Sequence, residues 1–236
     1  MNYDQIDAIN WSTLKHILKS PRHYQSYLEN PPAQTAAQRF GVAVHTALLE
    51  PDEYQKRYVR GPAADRRTKA YKDFVEKLQH DDIEILTALE WDKIADMHQA
   101  FSEMIDDFTA FVWQGAEVEQ VLTGELDGVE CKGRADILTS DYVWDLKTCQ
   151  DASTKAFGKD FHRYQYAAQL AFYADLAGKK KAGIIAIEKD APYGVNVLTI
   201  SDETLNDGRD LYKQALKTLK ACIDRNDWPA YQGGEL

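Results

Sequence analysis

The chain has 236 residues, enough for a sizeable core and within the range that single α/β domains occupy. A formal net charge of -10 argues against binding nucleic acid by general electrostatic attraction. That argument is weakened if the surplus carboxylates serve a metal site or if charge is segregated over the surface, as the basic groups at Arg57, Arg60, Arg66, Arg67 and Lys69 and at Lys179 to Lys181 suggest. Cys131, Cys149 and Cys222 are too scattered for a zinc or iron-sulfur site and read as reduced packing residues. No apolar run approaches the roughly 20 residues that cross a bilayer. The start Met-Asn-Tyr-Asp-Gln lacks the features of a secretory signal. The expectation is a soluble, cytoplasmic protein with no membrane partner.

In chain order, apolar spacing predicts a helix over 11–29, capped by Asn10 or Ser12 and stopped by Pro31-Pro32. A second is predicted over 37–49 and closed by Pro51, with further helices over 67–79 and 87–111. Residues 116–139 read as two strands joined by Asp127-Gly128, a strong hairpin signal. A third strand covers 142–148, a helix 154–176, two short strands 182–188 and 195–200, and a closing helix 202–225. This order predicts an α/β fold, a central mixed sheet flanked by helices, in one domain: a mainly helical part over 1–112 and a sheet-containing core over 113–228. Trp11, Tyr24, Trp91 and Trp113 read as core aromatics.

A two-residue loop at Ser140-Asp141 would set a register in which paired positions sum to 281, with Asp136 opposite Asp145. Opposed like charges on neighbouring strands are destabilising and call for compensation. Alternation then places Arg134 and Lys147 on the face of the aspartates and Ala135, Ile137, Trp144 and Leu146 on the other. Two carboxylates at this separation suit Mg²⁺ or Mn²⁺, and a lysine beside them could orient or deprotonate a water. Ordinary cross-strand ion pairs on a solvated face are the alternative. Further along, Gln165, Gln169 and Tyr173 form one polar stripe on a helix, which by pattern alone is a solvated face. Arg66 and Arg67 stand where a helix begins, an unfavourable place for cations and so a candidate phosphate contact.

Gly133-Arg134-Ala135-Asp136 followed by Trp144-Asp145-Leu146-Lys147-Thr148 resembles the core of the PD-(D/E)XK nucleases, and in particular the phage-type exonucleases related to exodeoxyribonuclease VIII (RecE). Four more segments carry the resemblance: GVAVHTALLEP from Gly41, Ala116-Glu117-Val118, the QxxxY form of RecB-like nucleases from Gln169 to Tyr173, and INWSTLKHILKSPRHY from Ile9. It implies a restriction-endonuclease-like core that hydrolyses DNA phosphodiesters with Mg²⁺ (or Mn²⁺). It further implies 5′ to 3′ digestion of linear double-stranded DNA from its ends by a ring-shaped homo-oligomer that feeds a single-strand annealing protein. Carried over by residue, His45, Asp136, Asp145 and Leu146 form the metal set, and Lys147 is the catalytic lysine. Glu117 supports a second metal or its water, although Glu119 shares its strand face and competes for that role. Gln165, Gln169, Tyr173, Thr148, Arg66 and Arg67 would contact substrate, and Gly41 would let the histidine helix approach closely. An endonuclease of the same fold and a catalytically silent DNA-binding relative are the other readings.

Overall fold

The computed structural model describes residues 3–62, 67–78, 83–108 and 115–231. Arg66 and Trp113 therefore lie outside the described residues. The N-terminal part begins with a short helix α1 (Trp11–Leu14), capped by the Asn10 side chain, that runs through a 3-10 turn (Lys15–Leu18) to α2 (Pro21–Glu29). The single helix expected over this stretch is interrupted because Pro21 takes the first position of α2. There its missing N–H costs nothing, and the Ser20 hydroxyl caps the new start. Next, α3 (Ala36–Leu49) opens with a reciprocal Thr35–Gln38 capping box. Pro51, expected only to close that helix, starts another, α4 (Pro51–Arg57). After it come β1 (Tyr58–Arg60), α5 (Lys69–Lys77), β2 (Glu84–Leu86) and the long α6 (Ala88–Phe108). The parallel β1–β2 pair was not foreseen, since each strand is only three residues long.

The main sheet comprises β3 (Glu117–Leu126), β4 (Val129–Leu138), β5 (Tyr142–Cys149), β6 (Lys181–Glu188) and β7 (Val195–Thr199), side by side in that order. At the β3–β4 turn Asp127 and Gly128 have φ of 49° and 75°, the two positive values that a type I′ hairpin requires. β5 and β6 are parallel, so the chain must cross over between them; it does so through α7 (Thr154–Arg163) and α8 (Tyr166–Leu176). α9 (Asp202–Arg225) closes the fold. The mixed sheet flanked by helices matches the expected α/β class.

Helices cover both sheet faces. On one side α8, α9 and the N-terminal helices enclose Trp11, Leu14, Tyr24, Leu170, Phe172, Ile184 and Leu216; on the other α3 and α6 enclose Val44, Ile94, Met97, Ile137, Trp144 and Leu146. Residues 182–187 of β6 are all buried, as befits a strand with helices on both faces. Two glycines allow close packing. A Cβ on Gly183 would stand 2.1 Å from the Trp144 ring on the neighbouring strand, and one on Gly208 would stand 2.3 Å from the Ala167 carbonyl oxygen of α8. The three cysteines are free and buried. Among the described residues no helix is long and apolar enough to cross a membrane.

Candidate active site

The site forms where two neighbouring strands part. The expected register holds next to the turn, with Ile137 opposite Trp144 and Leu138 opposite Val143, but the β4–β5 pairing stops there. Asp136 and Asp145 are thus not a rung of the ladder. The Leu146 N–H, which a continuous ladder would direct to the β4 backbone, donates instead to Asp136 Oδ2 at 2.7 Å. The far end of the open β4 edge is closed by Ile9: its N–H donates to the Glu130 carbonyl, and its own carbonyl accepts from Lys132 N–H. Strict alternation also fails at this point. Ala135 faces α8 while Ile137 faces α3, so the two residues expected to share a face pack in different cores. The change coincides with Glu119, which has a φ of 51° in mid-strand.

Three groups from separate elements meet in the gap. His45 on α3 brings Nδ1 to 3.5 Å from Asp136 Oδ2, and Glu119 on β3 joins them, so that one ligand atom from each lies within 4.8 Å of the others. Glu117 is exposed, and it is Glu119 that stands in the cluster. Beside it Asp145, only 2 % exposed, holds Lys147 Nζ at 2.5 Å through Oδ2 and accepts a 3.1 Å hydrogen bond from Gln169 Nε2 through Oδ1. Tyr173 OH lies 3.5 Å from the same amide, and its ring rests on Gly133, where a Cβ would come within 2.8 Å of it. Lys147 sits 5.0 Å above the centre of the Tyr166 ring.

The electrostatics follow from burial of several like charges. Burial raises the Asp136 carboxyl and pushes Asp145 up to about 6, the Asp136 charge adding to the second while Lys147 opposes both. Glu119 is pushed up to about 7, by burial first and by Asp136 next. Burial and the nearby Lys147 charge depress His45 to about 4, so its imidazole is neutral at ordinary pH and has a lone pair to give. For Lys147 burial favours loss of the proton, but the charges of Asp145 and Asp136 overcome it and hold the ammonium above its usual range. A neutral imidazole and buried carboxylates short of positive charge are a donor set suited to a hard divalent cation.

The other expected contacts divide. Gln169 and Tyr173 do line the aspartate, but Gln165 is not on their helix: with a φ of 59° it forms the break between α7 and α8. Arg134 leaves the Asp145–Lys147 face and pairs with Glu119 at 3.0 Å. Arg67 is exposed in the turn ahead of α5. Thr148 Oγ1 would be 3.8 Å from a Cβ on Gly41, an ordinary contact, so α3 does not need glycine there. Tyr166 went unread in the sequence, although its place three residues before Gln169 puts it on the same helix face.

Comparison with known proteins bears on this architecture. A crystal structure of an exonuclease candidate from Eubacterium rectale is 12% identical, with a TM-score of 0.58 over 97% of this chain and 91% of that one, a likeness of fold. A phage-related exonuclease from Haemophilus somnus is 11% identical with a TM-score of 0.39, covering 78% of this chain and 95% of that one. The alkaline exonuclease LHK-Exo from Laribacter hongkongensis is 13% identical with a TM-score of 0.37, covering 80% and 93%. No curated protein matches the sequence. The model of one family, the PDDEXK-like domain of unknown function DUF3799, matches residues 10–235. With nearly its whole length matched and a five-stranded mixed sheet between two helical layers, the chain belongs to this PDDEXK-like family.

Proposed function

We propose that the protein is a divalent-metal-dependent deoxyribonuclease. The observation that carries this reading is the convergence of His45, Glu119 and Asp136 within 4.8 Å, next to the buried Asp145–Lys147 pair. His45, Glu119 and Asp136 would hold Mg²⁺ or Mn²⁺, with Asp145 and the Leu146 backbone completing the set. The ion supplies Lewis acidity toward water and the phosphate. Lys147, held charged by two aspartates, donates to the attacking water or to a phosphate oxygen; its raised pKa favours this over service as a general base. Gln169 fixes the Asp145 carboxylate from behind, and Tyr173 braces the amide. The resemblance to phage-type exonucleases favours attack from the ends of linear double-stranded DNA, 5′ to 3′, by a homo-oligomer that hands its product to a single-strand annealing protein.

The test is degradation of end-labelled linear duplex with Mg²⁺, Mn²⁺ or a chelator, with covalently closed circular DNA as control. Unaltered protein should release label from the 5′ end only with metal and spare the circle. Lys147→Ala should lower the rate by at least about a hundredfold, the scale on which a positioned proton donor contributes. Equal cutting of the circle would make the enzyme an endonuclease. Absence of cleavage with every metal would leave a DNA-binding relative and defeat the proposal.

A further inference from the structure

Charge is unevenly distributed over this acidic molecule. α7 carries Lys155, Lys159 and Arg163 against a single acid, the half-buried Asp160. The three cations are exposed, and their spacing of four puts them in one row along the solvent side, opposite the buried Phe157 and Phe161. None of them has a carboxylate within 4 Å among the described residues. Like charges one turn apart destabilise a helix, and the helix dipole relieves only the cation in the last turn, Arg163.

The row ends at a corner that leads into the candidate active site. Tyr164, the residue that ends α7, is 45 % exposed, and the Arg163 guanidinium lies 5.4 Å from the centre of its ring. The left-handed Gln165 then turns the chain so that the Tyr166 ring stands 5.7 Å from that of Tyr164. Tyr166 packs against Phe157 and Phe161 and carries the Lys147 ammonium over its own ring. A continuous series of cations and rings thus runs from solvent to Lys147.

We propose that this row is a track for single-stranded DNA: Lys155, Lys159 and Arg163 hold successive phosphates, and Tyr164 stacks one base beside the site. An exposed ring can stack only on a base whose face is free, which selects an unpaired strand over the interior of a duplex, where neighbouring pairs cover both faces. The inference rests on the nuclease reading and deepens it by naming the form of DNA that reaches Lys147.

The test is binding of a labelled short single strand across a salt series, in a Lys147→Ala background with Mg²⁺ so that the strand survives. Replacing Lys155, Lys159 and Arg163 together by Gln should reduce the slope of log affinity against log salt by about 2, from roughly 0.7 per phosphate contact. Tyr164→Ala should weaken binding about tenfold at an unchanged slope, and Tyr164→Phe should bind as the parent does. Covalently closed circular duplex, which has no end, should show no effect of Tyr164→Ala. All four positions are exposed, so thermal midpoints should stay within a few degrees of the parent. An unchanged slope in the triple variant, or equal losses in Tyr164→Ala and Tyr164→Phe, overturns the track. The nuclease reading is judged on cleavage by the unaltered protein, so a failed track in a protein that still cuts overturns this inference alone.

Discussion

Glu119 adopts a left-handed backbone in the middle of a strand, which costs a non-glycine residue on the order of 1–2 kcal/mol and persists only where its surroundings impose it. Its carboxyl is also raised to about 7, so the folded state holds a proton that the unfolded chain releases near pH 4.5. The sign of the linkage follows: this group favours folding below the unfolded value, and that contribution is lost as pH rises through about 7. Glu119→Gln in metal-free protein should therefore stabilise the fold at pH 8 by on the order of 2 kcal/mol, read as a higher thermal midpoint, and leave the midpoint nearly unchanged at pH 5. Glu117→Gln, at an exposed site, should do neither. A gain at pH 5 equal to that at pH 8 would mean that the Glu119 charge is not the source. Two glutamates two apart on a strand share a face by alternation alone, so the sequence left both in play; the backbone reversal and the approach of α3 select Glu119.

Strand β5 shows how an element is positioned by what it passes. Its Trp144 lies opposite Gly183 of β6, and the indole occupies the space where a Cβ would be. Gly183→Ala should cost about 3 kcal/mol by overpacking, read as a lower denaturation midpoint and as a change in tryptophan emission. Retention of both would show that the indole is free to move. The α7–α8 segment teaches the complementary lesson. Periodicity over 154–176 is continuous and reads as one helix, yet the chain breaks at Gln165 because Phe157, Phe161 and Tyr166 pack together across the bend. Pro51 was read for where a helix stops and Pro21 was passed over inside one; both start helices, and only the cap geometry shows it.

The molecule as a whole carries surplus negative charge and concentrates part of it, buried, at the parting of β4 and β5. A cation that binds the folded state but not the unfolded chain stabilises the former by mass action, by about 2.7 kcal/mol at a hundredfold excess over Kd. Mg²⁺ or Mn²⁺ should thus raise the thermal midpoint more at pH 8 than at pH 5, since Glu119 and Asp145 give up their protons only near pH 7 and 6. Depression of His45 to about 4 keeps that ligand free across the same range. Asp136→Asn should abolish the shift. Calorimetry that finds an equal shift in the variant would place the cation elsewhere on the acidic surface.

Local patterns sufficed to determine the succession of the five main-sheet strands, the Asp127-Gly128 hairpin, the register beside the Ser140-Asp141 turn and the alternation that pairs Asp145 with Lys147. Each of these depends on residues close together in the chain, where spacing and turn chemistry act directly. Resemblance supplied His45, which spacing alone reads as a core residue. Tertiary structure decided that β4 and β5 separate after one short stretch of pairing, that Asp136 takes the Leu146 N–H, that Glu119 joins His45, and that Tyr166 underlies Lys147. Those outcomes depend on how α3 and α8 pack on opposite faces of one sheet. That balance of buried apolar surface against buried charge is struck among residues far apart in sequence.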